Sequence, residues 1–175
     1  MRTLHADGLT LVPQTAAHAD AMFELLNDAA VYTHLDDSPP ASAAALRERF
    51  ERLESRASAD GRERWLNWVV QLDGGAIAGF VQATVCAGGL AWVAFVLGQA
   101  FWGAGHAQRA TRAMLDELRT YCGVSHCLAT ADRANRRSLA LLARLGFALA
   151  PMPARAEHDV AEHDVLMELR FDGAA

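Results

Sequence analysis

Apolar residues recur along this chain either at every second position or at every third and fourth, and the switches between the two periods lay out its elements. Leu9–Thr15, "LTLVPQT", predicts a short strand that ends at a turn. Ala19, Met22, Phe23 and Leu26 then stand at helical spacing, with Thr15 placed to cap that helix. The segment "THLDDSPPAS" predicts a loop, broken by Pro39 and Pro40. Ser42 can cap a second helix, in which Leu46, Phe50 and Leu53 make one apolar stripe.

Three strands follow. "WLNWVVQL" and "AIAGFVQATV" are joined by the hairpin signal Asp73-Gly74-Gly75, and Gly88-Gly89 leads into "LAWVAFVL", so an antiparallel meander is expected. A third helix should run to about Tyr121, with Ala110, Met114, Leu118 and Tyr121 on one face. "SHCLATAD" predicts a strand. "ANRRSLALLARLGF" predicts a helix ended by Gly146, and a last strand covers roughly His163–Phe171. The order implies an α/β (α+β) fold on a mixed, mostly antiparallel sheet of about seven strands flanked by about four helices. No linker interrupts it, so residues 1–175 are expected to form one domain.

Composition narrows this picture. Hydrophobic residues make up 52% and charged residues 21%, which suits a globular chain. No apolar run approaches the ~20 residues of a membrane helix, and the N-terminus lacks a signal-peptide region. A soluble, cytoplasmic protein is expected, with no membrane partner. Cys86, Cys122 and Cys127 are odd in number and form no C-x-x-C pair, so they predict buried thiols rather than disulfides or a zinc ribbon.

The net charge of −5 is unevenly spread. Residues 103–150 carry 7 arginines against 3 acids, while residues 1–102 carry 7 against 12. A basic segment in an acidic protein suits a local anionic ligand and argues against nucleic acid as a partner. That segment opens with "FWGAGHAQRA". Gly103, Ala104 and Gly105 let a backbone approach a ligand, and His106, Ala107 and Gln108 begin a helix whose free amides suit a pyrophosphate. Arg109 and Arg112 could add charge for an outer phosphate. No G-K-[ST] is present, which excludes a Walker loop. Taken alone, the motif reads equally well as a plain strand–helix turn.

One short tandem repeat, "AEHDV" at 156–160 and 161–165, brings His158, Asp159, His163 and Asp164 together in sequence. Such side chains can ligate zinc or manganese, but the favoured reading is a solvated loop running into the last strand, with no metal.

The stretch "LAWVAFVLGQAFWGAGHAQRA" resembles the pattern A-E-I-G-Y-W-L-x-P-x-F-W-G-x-G-Y-A-T-E-A of GNAT-superfamily N-acetyltransferases of the RimJ/RimL type. Asp132, Asn135, Ser138, Leu142, Gly146 and Phe147 match a second pattern of that branch, D-x-x-N-x-x-S-x-x-[LV]-x-x-x-G-F. The resemblance covers nearly the whole chain. It implies acetyl-CoA as donor and no metal. The end of the strand Leu90–Leu97 would splay from the next strand, and backbone groups of Phe95, Val96 and Leu97 would pair with the pantetheine arm. Residues Trp102 to Gln108 would surround the pyrophosphate. Asn135 would contact the CoA arm, and Ser138 would lie near the thiol as a possible general acid; for these two, a helix cap and a solvated helix serine are the rival readings.

The acceptor side departs from the pattern. Trp92 stands where the branch often has Glu, so no strand carboxylate is available as base. On the donor side, Trp102 stands where the wider signature has Arg or Gln, though Trp suits this branch, and His106 replaces an aromatic or aliphatic residue. Asp36 and Asp37 could attract a cationic amine, His34 is a weaker base candidate, and Trp65, Trp68 and Trp92 could line a pocket or belong to the core. The function implied is transfer of an acetyl group to a primary amine (a protein N-terminus, an amino acid or a small amine) by a monomer or homodimer. The alternatives are another acyl-CoA and a non-catalytic CoA-binding module.

Overall fold

A computed structural model of the chain describes residues 1–151, 158 and 160–171. Its strands are β1 (Leu4–Ala6), β2 (Leu9–Pro13), β3 (Arg64–Leu72), β4 (Ile77–Val85), β5 (Leu90–Leu97), β6 (His126–Asp132), β7 (Ala148–Leu149) and β8 (Asp164–Arg170). The helices are α1 (Ala19–Leu26), α2 (Ala43–Leu53), α3 (His106–Tyr121) and α4 (Arg136–Arg144). All strands join one eight-stranded sheet in the order β1-β2-β3-β4-β5-β6-β8-β7. Every neighbouring pair is antiparallel except β5 and β6. The expected meander is β3–β4–β5.

The two faces of the sheet carry different layers. Leu66, Trp68, Val70, Val81, Ala83 and Val93 point toward α3 and α4, where they pack with Met114, Leu118 and Leu142. Val69, Phe80 and Val96 point the other way and pack with Met22, Leu26, Leu46 and Phe50 of α1 and α2. The alternation of each strand thus sorts its residues between two cores.

Some expectations are corrected. The sheet has an eighth strand, β1, which forms a hairpin with β2 through Gly8 at φ +73°. Three residues are too few to show a period. Thr15 opens a short 3₁₀ turn, Ala16–His18, in which His18 Nδ1 accepts from the Thr15 amide at 3.0 Å, and α1 begins only at Ala19. The segment after α1 breaks away because the Asp28 carboxylate takes the Ala30 amide at 2.9 Å and starts a second 3₁₀ turn. Tyr121 does not join the apolar stripe of α3. The last turn of that helix overhangs the core, Tyr121 is 64% exposed, and the Arg2 guanidinium lies 3.5 Å over its ring. Cys127 is buried, which pushes its thiol up to about 12, whereas Cys86 and Cys122 are only half-buried. No helix among the described residues is long and apolar enough to cross a membrane.

Candidate active site

The sheet parts at one place. β5 and β6 pair only over Leu90–His126, Ala91–Cys127 and Trp92–Leu128. Beyond Trp92, β5 stays with β4 as far as Leu97, while β6 stays with β8 as far as Asp132. The two strands therefore diverge, and Val93–Leu97 has no strand on its outer edge among the described residues. Phe95, Val96 and Leu97 lie on this edge.

The chain leaves the edge through a tight turn. Trp102 folds back and donates its indole N–H to the Leu97 carbonyl at 2.7 Å, and the Arg137 guanidinium sits 4.6 Å from the Trp102 ring. The side chain placed by sequence at the pyrophosphate thus ties β5 to α4. Gly103 and Gly105 follow at φ +81° and +76°, and both are exposed with Ala104 between them. Left-handed residues just before a helix turn successive amides toward one point. Gly105 is the N-cap of α3, so the amides of His106, Ala107 and Gln108 lack partners within the helix. This terminus suits an anion. Arg109 bends back over it, donating to the Ala104 carbonyl at 3.3 Å and meeting His106 Nδ1 at 2.9 Å. Arg112 instead reaches toward the Arg144 carbonyl at 3.4 Å.

Across the opening, Asn135 caps α4: its Oδ1 accepts from the Ser138 amide at 3.1 Å. Asn135 and Ser138 are half-buried there. Asp132, three residues earlier, ends β6. The Ala134 amide holds its carboxyl below the usual carboxylate range; partial burial opposes this, and His34 adds to it. His34 Nδ1 lies 3.3 Å from Asp132 Oδ2.

His34 belongs to the loop between α1 and α2, which reaches both sides of the site. Asp36 pairs with His163 Nε2 at 3.1 Å, and Asp164 completes a group whose ligating atoms lie within 4.8 Å of one another. Asp37 faces Arg49 of α2 at 3.8 Å. The two "AEHDV" copies part company: His158 meets the Trp92 ring edge-on at 5.1 Å, His163 joins Asp36, and Asp159 lies outside the described residues.

The tryptophans also separate. Trp68 is fully buried on the α3 side and donates to the Arg2 carbonyl at 2.9 Å, so it belongs to the core. Trp65 and Trp92 face the α1 side, where both stand opposite Thr84 in the ladder. Trp92 packs with Leu128, Ala150 and Leu166.

Beside this row lies a feature that sequence reasoning passed over. A cavity of about 50 Å³ is lined by Tyr32 and Asp37 of the loop, Arg49 of α2, and Asn67, Phe80, Gln82 and Val96 of the sheet. Asn67 is only 5% exposed, and its Nδ2 finds no partner among the described residues. A single Asn within "WLNWVVQL" was the available signal. Burial raises the Tyr32 phenol pKa, with Asp37 adding to the shift and Arg49 opposing it. A larger hollow of about 650 Å³ lies elsewhere, along the flank of α3 against β1.

Comparisons with known proteins agree with this geometry. The family model of the acetyltransferase (GNAT) domain matches residues 8–148. No curated protein matches the chain. RimL, a ribosomal L7/L12 alpha-N-protein acetyltransferase solved in complex with coenzyme A, superposes with a TM-score of 0.79 over 98% of this chain and 99% of its own, at 19% identity. The spermidine N-acetyltransferase of Vibrio cholerae, solved with CoA and spermine, gives 0.76 over 94% and 96% at 16% identity. A GNAT-family acetyltransferase from Bacillus anthracis gives 0.77 over 97% and 98% at 14% identity. At these identities the solved structures speak for the fold, and the domain match speaks for the family: the chain belongs to the GNAT acetyltransferases.

Proposed function

We propose that the chain, as one domain over residues 1–175, moves an acetyl group from acetyl-CoA to a primary amine by direct attack in a ternary complex. The observation that carries this is the parting of β5 from β6 immediately before the exposed Gly103–Gly105 turn at the start of α3. A strand edge in need of partners and an anion-seeking helix terminus follow one another in the chain. That succession suits a donor with an amide-bearing arm and a pyrophosphate.

In this reading Phe95 and Val96 offer backbone groups to the arm. The Leu97 carbonyl already accepts from Trp102, so its part is smaller. The turn from Gly103 to Gln108 holds the pyrophosphate, with Trp102 fixing the turn from behind. Asn135 orders the first turn of α4, and Ser138 faces the thiol and protonates it as it leaves. Proximity supplies most of the acceleration. The amine must lose a proton, and His34, oriented by Asp132, is the group we assign to that step. Asp36 and Asp37 are engaged by His163 and Arg49, so any pull on a cationic amine comes from these pairs rather than from free carboxylates.

A second reading, a CoA-binding module without activity, draws on Trp92, an indole packed against His158 at a position the branch often gives to Glu. A melting-temperature titration with acetyl-CoA tests the donor half. Thiol release in the presence of amines then separates enzyme from binder. A melting shift without thiol release for any amine favours the binder, and no shift removes both readings.

A further inference from the structure

The tandem repeat "AEHDV" makes no metal site by itself, because His158 goes to the Trp92 ring and only His163 and Asp164 of the second copy stay together. The fold adds what the repeat lacks. Asp36, in the loop between α1 and α2, comes to His163 from 127 positions away. His163 Nε2 lies 3.1 Å from Asp36 Oδ2 and 3.9 Å from Asp164 Oδ1. One ligating atom from each of the three side chains lies within 4.8 Å of the other two.

Charge and ligand type set this group apart from an ordinary surface ion pair. Two carboxylates converge on a single ring nitrogen, which carries at most one proton and donates to one of them at a time. With the imidazole neutral, the two negative charges repel each other with nothing between them to balance. Asp132 stands opposite Asp164 in the β6–β8 ladder, and the charge of His163 reaches its carboxyl, so a third carboxylate is close by. A cation relieves this crowding.

The donor set selects which cation. An imidazole nitrogen with carboxylate oxygens suits zinc and its neighbours, whereas magnesium and calcium take oxygen ligands. Three protein ligands with an open side is an arrangement in which zinc keeps a water as its fourth ligand. The Asp36 and His163 side chains are 70% and 55% exposed, so the open side faces solvent and an ion has a way in. The contact that the ion replaces is an exposed pair, and such pairs contribute little to stability.

We infer that Asp36, His163 and Asp164 bind a divalent transition-metal ion of the zinc class, which staples the α1–α2 loop to the start of β8. The same loop touches the end of β6 through His34 and Asp132, so the ion adds a second tie beside the first. This site does not depend on the acetyl transfer.

The test uses the full chain stripped with EDTA, with zinc chloride as the probe and magnesium chloride beside it. Zinc should raise the melting temperature saturably, with one ion per chain by calorimetric titration, and magnesium should not. His163→Gln and Asp36→Asn alter exposed side chains and should fold; each should weaken zinc binding at least about 10-fold. Chymotrypsin cleavage after Leu35, exposed one residue before Asp36, should slow at least about threefold with zinc in the wild type and not in the variants. No zinc shift, an equal shift with magnesium, or unchanged zinc affinity in both variants overturns the site. Loss of zinc binding after alkylation of the half-buried Cys86 and Cys122, with both variants still binding, assigns the ion to the thiols and overturns it too. Site-specific binding without slower cleavage upholds the site and overturns the staple. The acetyl-CoA melting shift is read separately, so failure of either reading leaves the other standing.

Discussion

Trp102 donates its indole N–H to the carbonyl of Leu97 at 2.7 Å, so the residue that opens the glycine turn is tied to the residue that closes β5. The Arg137 guanidinium, one residue before Ser138, lies 4.6 Å from the same ring. One side chain therefore sets the strand end, the turn and α4 relative to each other.

Replacing Trp102 by Phe keeps the ring for Arg137 and removes the hydrogen bond. The expected loss is about 1 kcal/mol of folding stability, with acetyl-CoA binding weakened about 5- to 10-fold because the turn is no longer fixed. Calorimetric titration and denaturant unfolding on the same samples check this. Unchanged affinity would show that the turn holds its shape without the indole.

Gly105 has two separable roles. Its φ of +76° is a left-handed conformation, and an added Cβ would stand 3.1 Å from the Arg109 guanidinium. Gly105→Asn tolerates that conformation, so its melting temperature should stay close to wild type, whereas Gly105→Val should lose at least about 1–2 kcal/mol. Both should bind acetyl-CoA at least about 10-fold more weakly if a phosphate approaches the turn. A folded Gly105→Asn with native affinity would remove the phosphate from this position.

Gly79 answers for the inner side of β5. A Cβ built there meets the Val96 carbonyl oxygen at 2.1 Å and Leu97 Cα at 2.7 Å, at φ +149°. Gly79→Ala must push β4 and β5 apart, and the expected loss is about 3 kcal/mol or more. Unfolding in urea reads this directly; a loss below about 1 kcal/mol would mean that the pair gives way easily.

Asp132 carries a pH signature. Its pKa is depressed in the folded state, first by the Ala134 amide and then by His34, with a further contribution from the charge of His163. The stability it adds is full above the unfolded value of ~3.9 and disappears as pH falls through the lower folded value. The difference in stability between wild type and Asp132→Asn should be present at pH 5, begin to shrink near pH 4 and vanish only as pH falls below the depressed folded value. A difference that stays constant down to pH 3 would show that the carboxylate is not the source.

The layout of strands and helices was legible in the sequence because each element longer than about seven residues shows its period. The glycine turn was legible for a similar reason: two glycines before a helical run have few other uses. β1 was hidden by its three residues. The acceptor side was hidden by distance along the chain. Asp36 and His163 stand 127 positions apart, and no local pattern pairs them. Asn67 was visible as a letter, but its burial within the sheet, at 5% exposure, is revealed only in three dimensions.

A sheet of eight strands ordinarily has two edges, and among the described residues this one has two more in its interior, on β5 and on β6 where they part. From Val93 to Leu97 the backbone turns one side to a gap bounded by β6, its former neighbour. A guest that pairs with β5 here takes the place of a strand, ~4.8 Å from it. It must also carry groups that can hydrogen-bond to a peptide edge. The opening therefore sorts its guests by backbone-like chemistry before any side chain takes part, and the shortness of the edge, Val93 to Leu97, leaves little for a foreign strand to pair with.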